Sequence, residues 1–181
     1  MKRWFYLVVG LQILFLLAEA ANNEIALRRG QVVTLKVVPV DPRSLFMGNY
    51  MDLRYDISTI DLSSVRHEGP ADLFRYRTTV YVGLIPWKPW ALARNVTVTP
   101  PSPEETMLYL RGRIADSYGS TITIEYGLER YFIPETAQER VKRLQWGWRG
   151  RPPQITAEVS VAKDGRGFIR RVLVDGKPLG F

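Results

Sequence analysis

The sequence predicts a mainly β fold: an antiparallel barrel or sandwich of about seven to eight strands with one short helix, behind an N-terminal transmembrane or signal helix. Three observations carry this expectation. An apolar run opens the chain, later segments repeatedly alternate apolar with polar residues, and clusters of Gly, Pro, Asn and Asp separate those segments. Alternation with period two places the apolar side chains on one side of a strand, so each such segment has a single face to bury.

Met1-Lys2-Arg3 is followed by WFYLVVGLQILFLLA over residues 4–18, where Gln12 is the only polar side chain. The run is shorter than the roughly 20 residues that cross a hydrocarbon core. Ala18-Glu19-Ala20 has the small-x-small pattern of a signal-peptidase site, so a cleaved signal peptide and an uncleaved anchor are both open on length. Lys2 and Arg3 face Arg28, Arg29 and Lys36 on the far side, and charge alone does not orient the segment. A short tail before a long domain favours the N-terminus inside and the domain outside the cytoplasm.

Val32 to Val38 is rich in β-branched residues and stops at Pro39. Asp41-Pro42 and Gly48-Asn49 mark turns before a strand expected over 50–57, where Met51, Leu53, Tyr55 and Ile57 alternate with Asp52, Arg54 and Asp56. Residues 61–74 contain Gly69-Pro70 and read as a long loop with at most a short helix. Further strands are expected over 76–84, 92–98, 107–114 and 121–126, with turns at 86–89, 100–103 and 116–119 between them. Pro134 to Leu144 reads as the soluble helix: proline suits its first turn, Glu135 its positive start, and Lys142 with Arg143 its end. Ile155, Ala157, Val159 and Val161 alternate again, and Lys163-Asp164-Gly165 turns the chain into a last strand over 168–174 before Asp175-Gly176.

At 181 residues, with 1–27 as anchor or signal, residues 28–181 suit one domain. The absence of cysteine rules out disulfides, thiol nucleophiles and thiolate zinc sites. The single histidine, His67, stands beside Glu68 in the long loop and reads as a solvated residue; with no second histidine, neither a metal nor a cofactor is expected. Ser44, Ser58 and Ser160 lie in no nucleophile elbow, and no phosphate-binding glycine loop is present. The net charge is +7, of which +6 falls after residue 21. For a domain outside the cytoplasm, that charge points to anionic lipid, glycan or an acidic protein face, with no nucleic acid as partner.

The densest pattern is Asp41-Pro42-Arg43-Ser44-Leu45-Phe46-Met47-Gly48-Asn49-Tyr50-Met51-Asp52-Leu53-Arg54-Tyr55, a turn-forming half running into an alternating half. A second is Tyr126-Gly127-Leu128-Glu129-Arg130-Tyr131-Phe132-Ile133-Pro134-Glu135, and Leu110-Arg111-Gly112-Arg113 is a third. The spacing Gly48-Asn49-Tyr50-x-x-Leu53-x-Tyr55 resembles the signature of the GDYXXLXY proteins, bacterial membrane-anchored proteins without an assigned biochemical role. The resemblance covers nearly the whole chain. It implies an uncleaved anchor, with the helix running on towards Leu27, and an accessory role beside a polytopic membrane protein. Position 49 is Asn where the family name carries Asp; asparagine forms the same turns but is no general base.

Each motif has a structural and a chemical reading. In the first, Gly48 and Asn49 shape a corner while Leu53 and Tyr55 go inward, the tyrosine hydroxyl finding a partner; alternatively Arg43, Tyr50 and Arg54 line an anion site. In the second, Glu129, Arg130 and Glu135 join Asp41 and Arg43 in an ion-pair network that holds the motifs together, or else form a polar site. The structural readings are favoured, since ion-pair networks are common and two carboxylates without a known separation are weak evidence for catalysis. Trp146, Trp148, Arg149 and Arg151 form the segment with surface-binding character, suited to a lipid interface or a sugar face and joined by Trp87 and Trp90; an equal alternative is a loop whose tryptophans cap the core. The function expected is a non-enzymatic, membrane-anchored domain that partners an integral membrane protein. A lipid- or glycan-binding barrel is the alternative, and a hydrolase using Glu129 and Glu135 a distant third.

Overall fold

The computed structural model describes residues 2–38, 46–47, 50–102, 107–133 and 153–179. It opens with helix α1, Lys2–Arg29. This helix is long and apolar enough to cross a membrane, and none of its most apolar stretch is covered by the rest of the chain. Arg28 and Arg29 close it, where cations complement the negative end of the helix dipole.

Thirteen strands follow among the described residues: β1 Gln31–Val37, β2 Phe46–Met47, β3 Tyr50–Asp52, β4 Thr59–Asp61, β5 Arg66–His67, β6 Thr79–Ile85, β7 Leu92–Thr97, β8 Leu108–Tyr118, β9 Thr121–Glu125, β10 Arg130–Phe132, β11 Ile155–Val161, β12 Gly167–Val174 and β13 Lys177–Pro178. They form three sheets, ordered β1-β11-β12-β13, β10-β3-β2 and β4-β9-β8-β6-β7-β5. Every pairing is antiparallel except β5 with β7. The mainly β class is thus correct, and the fold includes a curled half-barrel sheet. The helix expected over 134–144 lies outside the described residues.

A single core joins the sheets. Val33, Leu35 and Val37 of β1 and Ile155, Ala157, Val159 and Val161 of β11 face Val80, Val82 and Leu84 of β6, Leu110 and Ile114 of β8, and Ile122 and Ile124 of β9. These are the apolar positions of the alternating segments, and their burial is the main force closing the fold. The sheets also share backbone bonds: Arg111 N–H of β8 donates to the Gly165 carbonyl in the β11–β12 turn at 2.7 Å. A Cβ on Gly165 would press on Arg111 and Tyr109, so this turn seats closely on β8.

The outer edge of β1 would otherwise present unpaired backbone groups. The loop before β7 covers it through Ala91 N–H to the Thr34 carbonyl, at 2.8 Å, and Lys36 lies 4.9 Å over the ring of Trp90 in the same loop.

Three expectations need correction. The strand expected over 50–57 stops at Asp52 and gives way to a 3-10 turn at Asp56–Ser58, although Met51, Leu53, Tyr55 and Ile57 are all buried as the alternation requires. β8 continues to Tyr118, through the turn expected at 116–119, because Ala115 is accommodated as a bulge between Ile114 and Asp116. His67 is no solvated loop residue: it lies on β5, half-buried, edge-on to the core residue Phe74 at 5.8 Å.

Candidate functional site

The two long motifs dock on each other. β3 pairs with β10 so that Tyr50 lies opposite Phe132, Met51 opposite Tyr131, and Asp52 opposite Arg130. Past Asp52 the chain changes partners at each residue. Leu53 N–H donates to the Glu129 carbonyl at 2.6 Å, the Arg54 carbonyl accepts from Val38 N–H at 2.7 Å, and Tyr55 bridges Val37. The segment therefore crosses from one sheet to the edge of another, which is why it bends where local pattern alone predicts a straight strand.

Two tyrosines lock the crossing. The Tyr55 hydroxyl donates to the Leu128 carbonyl at 2.8 Å, and the Tyr126 hydroxyl donates to the Ile57 carbonyl at 2.6 Å. Burial, with the charge of Glu129 adding to it, pushes both phenols well above the ordinary tyrosine value. They are therefore neutral donors near neutrality. Glu129 is half-buried, and its carboxylate accepts the Tyr126 amide at 2.6 Å, closing the turn that Gly127 makes with a positive φ of 75°. Gly112 of the third motif lies beneath: a Cβ there would stand 2.4 Å from Ile124 and 2.9 Å from Tyr126.

Among the described residues, backbone and tyrosine hydrogen bonds and apolar packing link the motifs and no ion pair does; Asp41, Arg43 and Glu135 of the expected network lie outside them. Arg130 is exposed and Tyr131 half-buried. Tyr50 remains half-exposed and meets Phe132 edge-on at 5.5 Å, leaving an aromatic pair on the outer surface. Arg54 is likewise on the solvent side. Asp41, Pro42, Arg43, Gly48, Asn49, Pro134, Glu135, Trp146, Trp148, Arg149 and Arg151 lie outside the described residues. Among the described residues, no group of three His, Asp or Glu side chains is placed to hold a metal ion.

A second locus escaped the sequence reading: the junction of α1 with the β domain. The Ala26 carbonyl accepts both Gly30 N–H, at 2.9 Å, and the Ser160 hydroxyl of β11, at 3.1 Å. A Cβ on Gly30 would lie 2.3 Å from that hydroxyl and 2.8 Å from the Val161 carbonyl. Helix and sheet thus join with no linker between them. The available signals were Gly30 after the paired arginines and Ser160 on the polar face of an alternating strand. Both also fit an ordinary exposed turn and an ordinary exposed face.

A family-wide sequence model described as "GDYXXLXY protein" matches residues 12–172, most of the chain. No curated protein and no solved structure matches it. The chain belongs to the GDYXXLXY family.

Proposed function

We propose that this GDYXXLXY protein is a single-pass membrane protein whose β domain stands outside the cytoplasm and acts without catalysis, as an accessory or interaction partner of a polytopic membrane protein. The observation that carries the reading is the linkerless junction at Ala26, Gly30 and Ser160. A helix whose most apolar stretch is covered by nothing of its own chain needs another apolar medium. A domain fixed to the end of such a helix is held at one height and angle over the membrane, which suits docking on a neighbouring membrane protein. Among the described residues of the motifs, both tyrosine hydroxyls and the Glu129 carboxylate are already engaged with backbone atoms.

The test has two parts. A reporter active only outside the cytoplasm, fused after Phe181, is expected to be active, and the membrane-bound chain is expected to retain its N-terminal helix by mass spectrometry. A mature chain beginning at Ala21 would remove the anchor. Purification in mild detergent is expected to recover a polytopic membrane protein, and a monodisperse monomer would overturn the partner reading.

A further inference from the structure

A cleft of about 580 Å³ opens where α1 meets the β11–β12 turn, lined by Asn22, Ile25 and Arg29 of the helix and Lys163, Asp164 and Arg166 of the turn. Its charge is unbalanced. Arg166 is held by the Asp164 carboxylate at 2.6 Å and reaches the Asn23 side chain at 3.3 Å. Burial raises the Asp164 carboxyl, but the Arg166 amide and guanidinium outweigh it and hold that group below its ordinary value, so it stays ionised near neutrality. Arg29 and Lys163 are exposed and have no ion-pair partner among the described residues. Three cations thus face one carboxylate and the helix end, which carries about half a negative charge.

The depth of the cleft identifies its occupant. α1 has 28 residues. At about 1.5 Å per residue it is roughly 42 Å long, close to a bilayer with both headgroup layers. With Lys2 at one boundary of a hydrocarbon core of about 30 Å, the last eight or so residues pass through the opposite headgroup layer, which is about 5–7 Å thick. Asn22, Ile25, Ala26 and Arg29, the helix residues that line the cleft, all fall within that stretch. The apolar side chain of Ile25 lies beside the cations, as the glycerol end of a lipid would require.

We propose that this cleft binds the phosphate of an anionic phospholipid headgroup, with Arg29 and Lys163 supplying the neutralising charge and the Asp164–Arg166 pair its rigid wall. The proposal rests on the anchored reading above. A phosphate oxyanion is the recognised chemistry, and the position of the cleft selects lipid over free phosphate as its source.

The test uses the full chain, isotopically labelled, in zwitterionic micelles, with the backbone amides of Gly30, Gly165 and Arg166 as reporters. Short-chain phosphatidylglycerol is expected to shift them saturably, at concentrations roughly ten-fold below those needed for short-chain phosphatidylcholine. The double substitution Arg29→Gln with Lys163→Gln is expected to weaken that response by about ten-fold or more while leaving thermal melting unchanged, and Arg29→Lys with Lys163→Arg to retain it. Equal shifts with the two lipids, or an unaltered response in the glutamine variant, would overturn the site. An equal response to inorganic phosphate would overturn the lipid assignment. Cleavage before Ala21 would instead sink the anchored reading and shows as a change of mass, so the two failures are distinguishable.

Discussion

Tyr55 and Tyr126 each donate a hydroxyl into the backbone of the segment that carries the other: Tyr55 to the Leu128 carbonyl at 2.8 Å, Tyr126 to the Ile57 carbonyl at 2.6 Å. Each bond reaches across while the other reaches back, so neither segment can slide without breaking both. Tyr55 sits at the edge of β1 and Tyr126 just past the end of β9, with β10 beginning four residues later. The reciprocal pair therefore fastens all three sheets at one point, and Tyr55, the second of the two signature tyrosines, is a fastener of the fold.

Removing one hydroxyl leaves a buried carbonyl short of its donor. Tyr55→Phe and Tyr126→Phe are each expected to cost about 1–2 kcal/mol in denaturant unfolding. Their double variant should depart from additivity, because both bonds act on the same pair of segments. Tyr55→Ala also empties core volume and is expected to cost about 3–5 kcal/mol. Wild-type stability in all four would mean that the motif is a recognition surface and not a fold device.

The same pair sets an alkaline limit. The ordinary tyrosine value is 10.0, and both folded-state values lie above it. Their contribution is whole below pH 10; above it the unfolded chain loses protons that the folded chain still holds. Stability then falls by about 1.4 kcal/mol per pH unit for each tyrosine as pH climbs towards the folded-state value. Tyr55→Phe removes one of these groups, so its deficit relative to wild type is expected to narrow above pH 10. A constant deficit in urea titrations from pH 8 to pH 11 would contradict this.

Met51, Leu53, Tyr55 and Ile57 were legible as inward-facing because alternation is a local property. The break after Asp52 was not, because it is made by partners far along the chain, the Glu129 carbonyl and Val38 N–H. The same reason hid the junction. Ser160 alternates with Val159 and Val161 as a solvent-facing residue would, yet it is buried and its hydroxyl bonds the helix end. His67 was misread similarly, since Phe74, which holds it, lies beyond the Gly69-Pro70 turn. Local periodicity fixes faces; which edge or helix covers a face depends on topology.

Gly112 and Gly127 are expected to fail for different reasons. Gly112→Ala drives a methyl into Ile124 and Tyr126 and should cost about 1–3 kcal/mol as overpacking. Gly127 has open space around it, so Gly127→Ala meets only the backbone cost of a positive φ, about 1–2 kcal/mol, and Gly127→Asn should recover part of that. Equal losses for Ala and Asn at position 127 would show that the turn is not the cause.

Gly30→Ala tests the junction itself. The added methyl would meet the Ser160 hydroxyl, the Ala26 carbonyl and the Val161 carbonyl, so the helix end must lift from β11. Amide exchange over residues 26–31 is expected to accelerate while the β core stays protected. Gly10→Ala, where nothing lies within 4 Å, is the matched control and should change neither. Unchanged exchange in Gly30→Ala would show that the helix end is not seated on the sheet.

Glu129 decides between scaffold and chemistry. Its carboxylate accepts the Tyr126 amide at 2.6 Å, and a glutamine carbonyl oxygen can accept the same bond. Glu129→Gln should therefore keep stability within about 0.5 kcal/mol, whereas Glu129→Ala strands the Tyr126 amide and should lose about 1–2 kcal/mol. Loss of charge has a second readout, since Glu129 helps raise both tyrosines. In Glu129→Gln the two phenols should ionise at lower pH than in wild type, as followed by tyrosinate absorbance. A scaffold role demands tolerance of Gln together with that shift. If Glu129→Gln folded normally yet abolished partner recovery from membranes as completely as Glu129→Ala, the carboxylate charge would have a role outside the turn it closes.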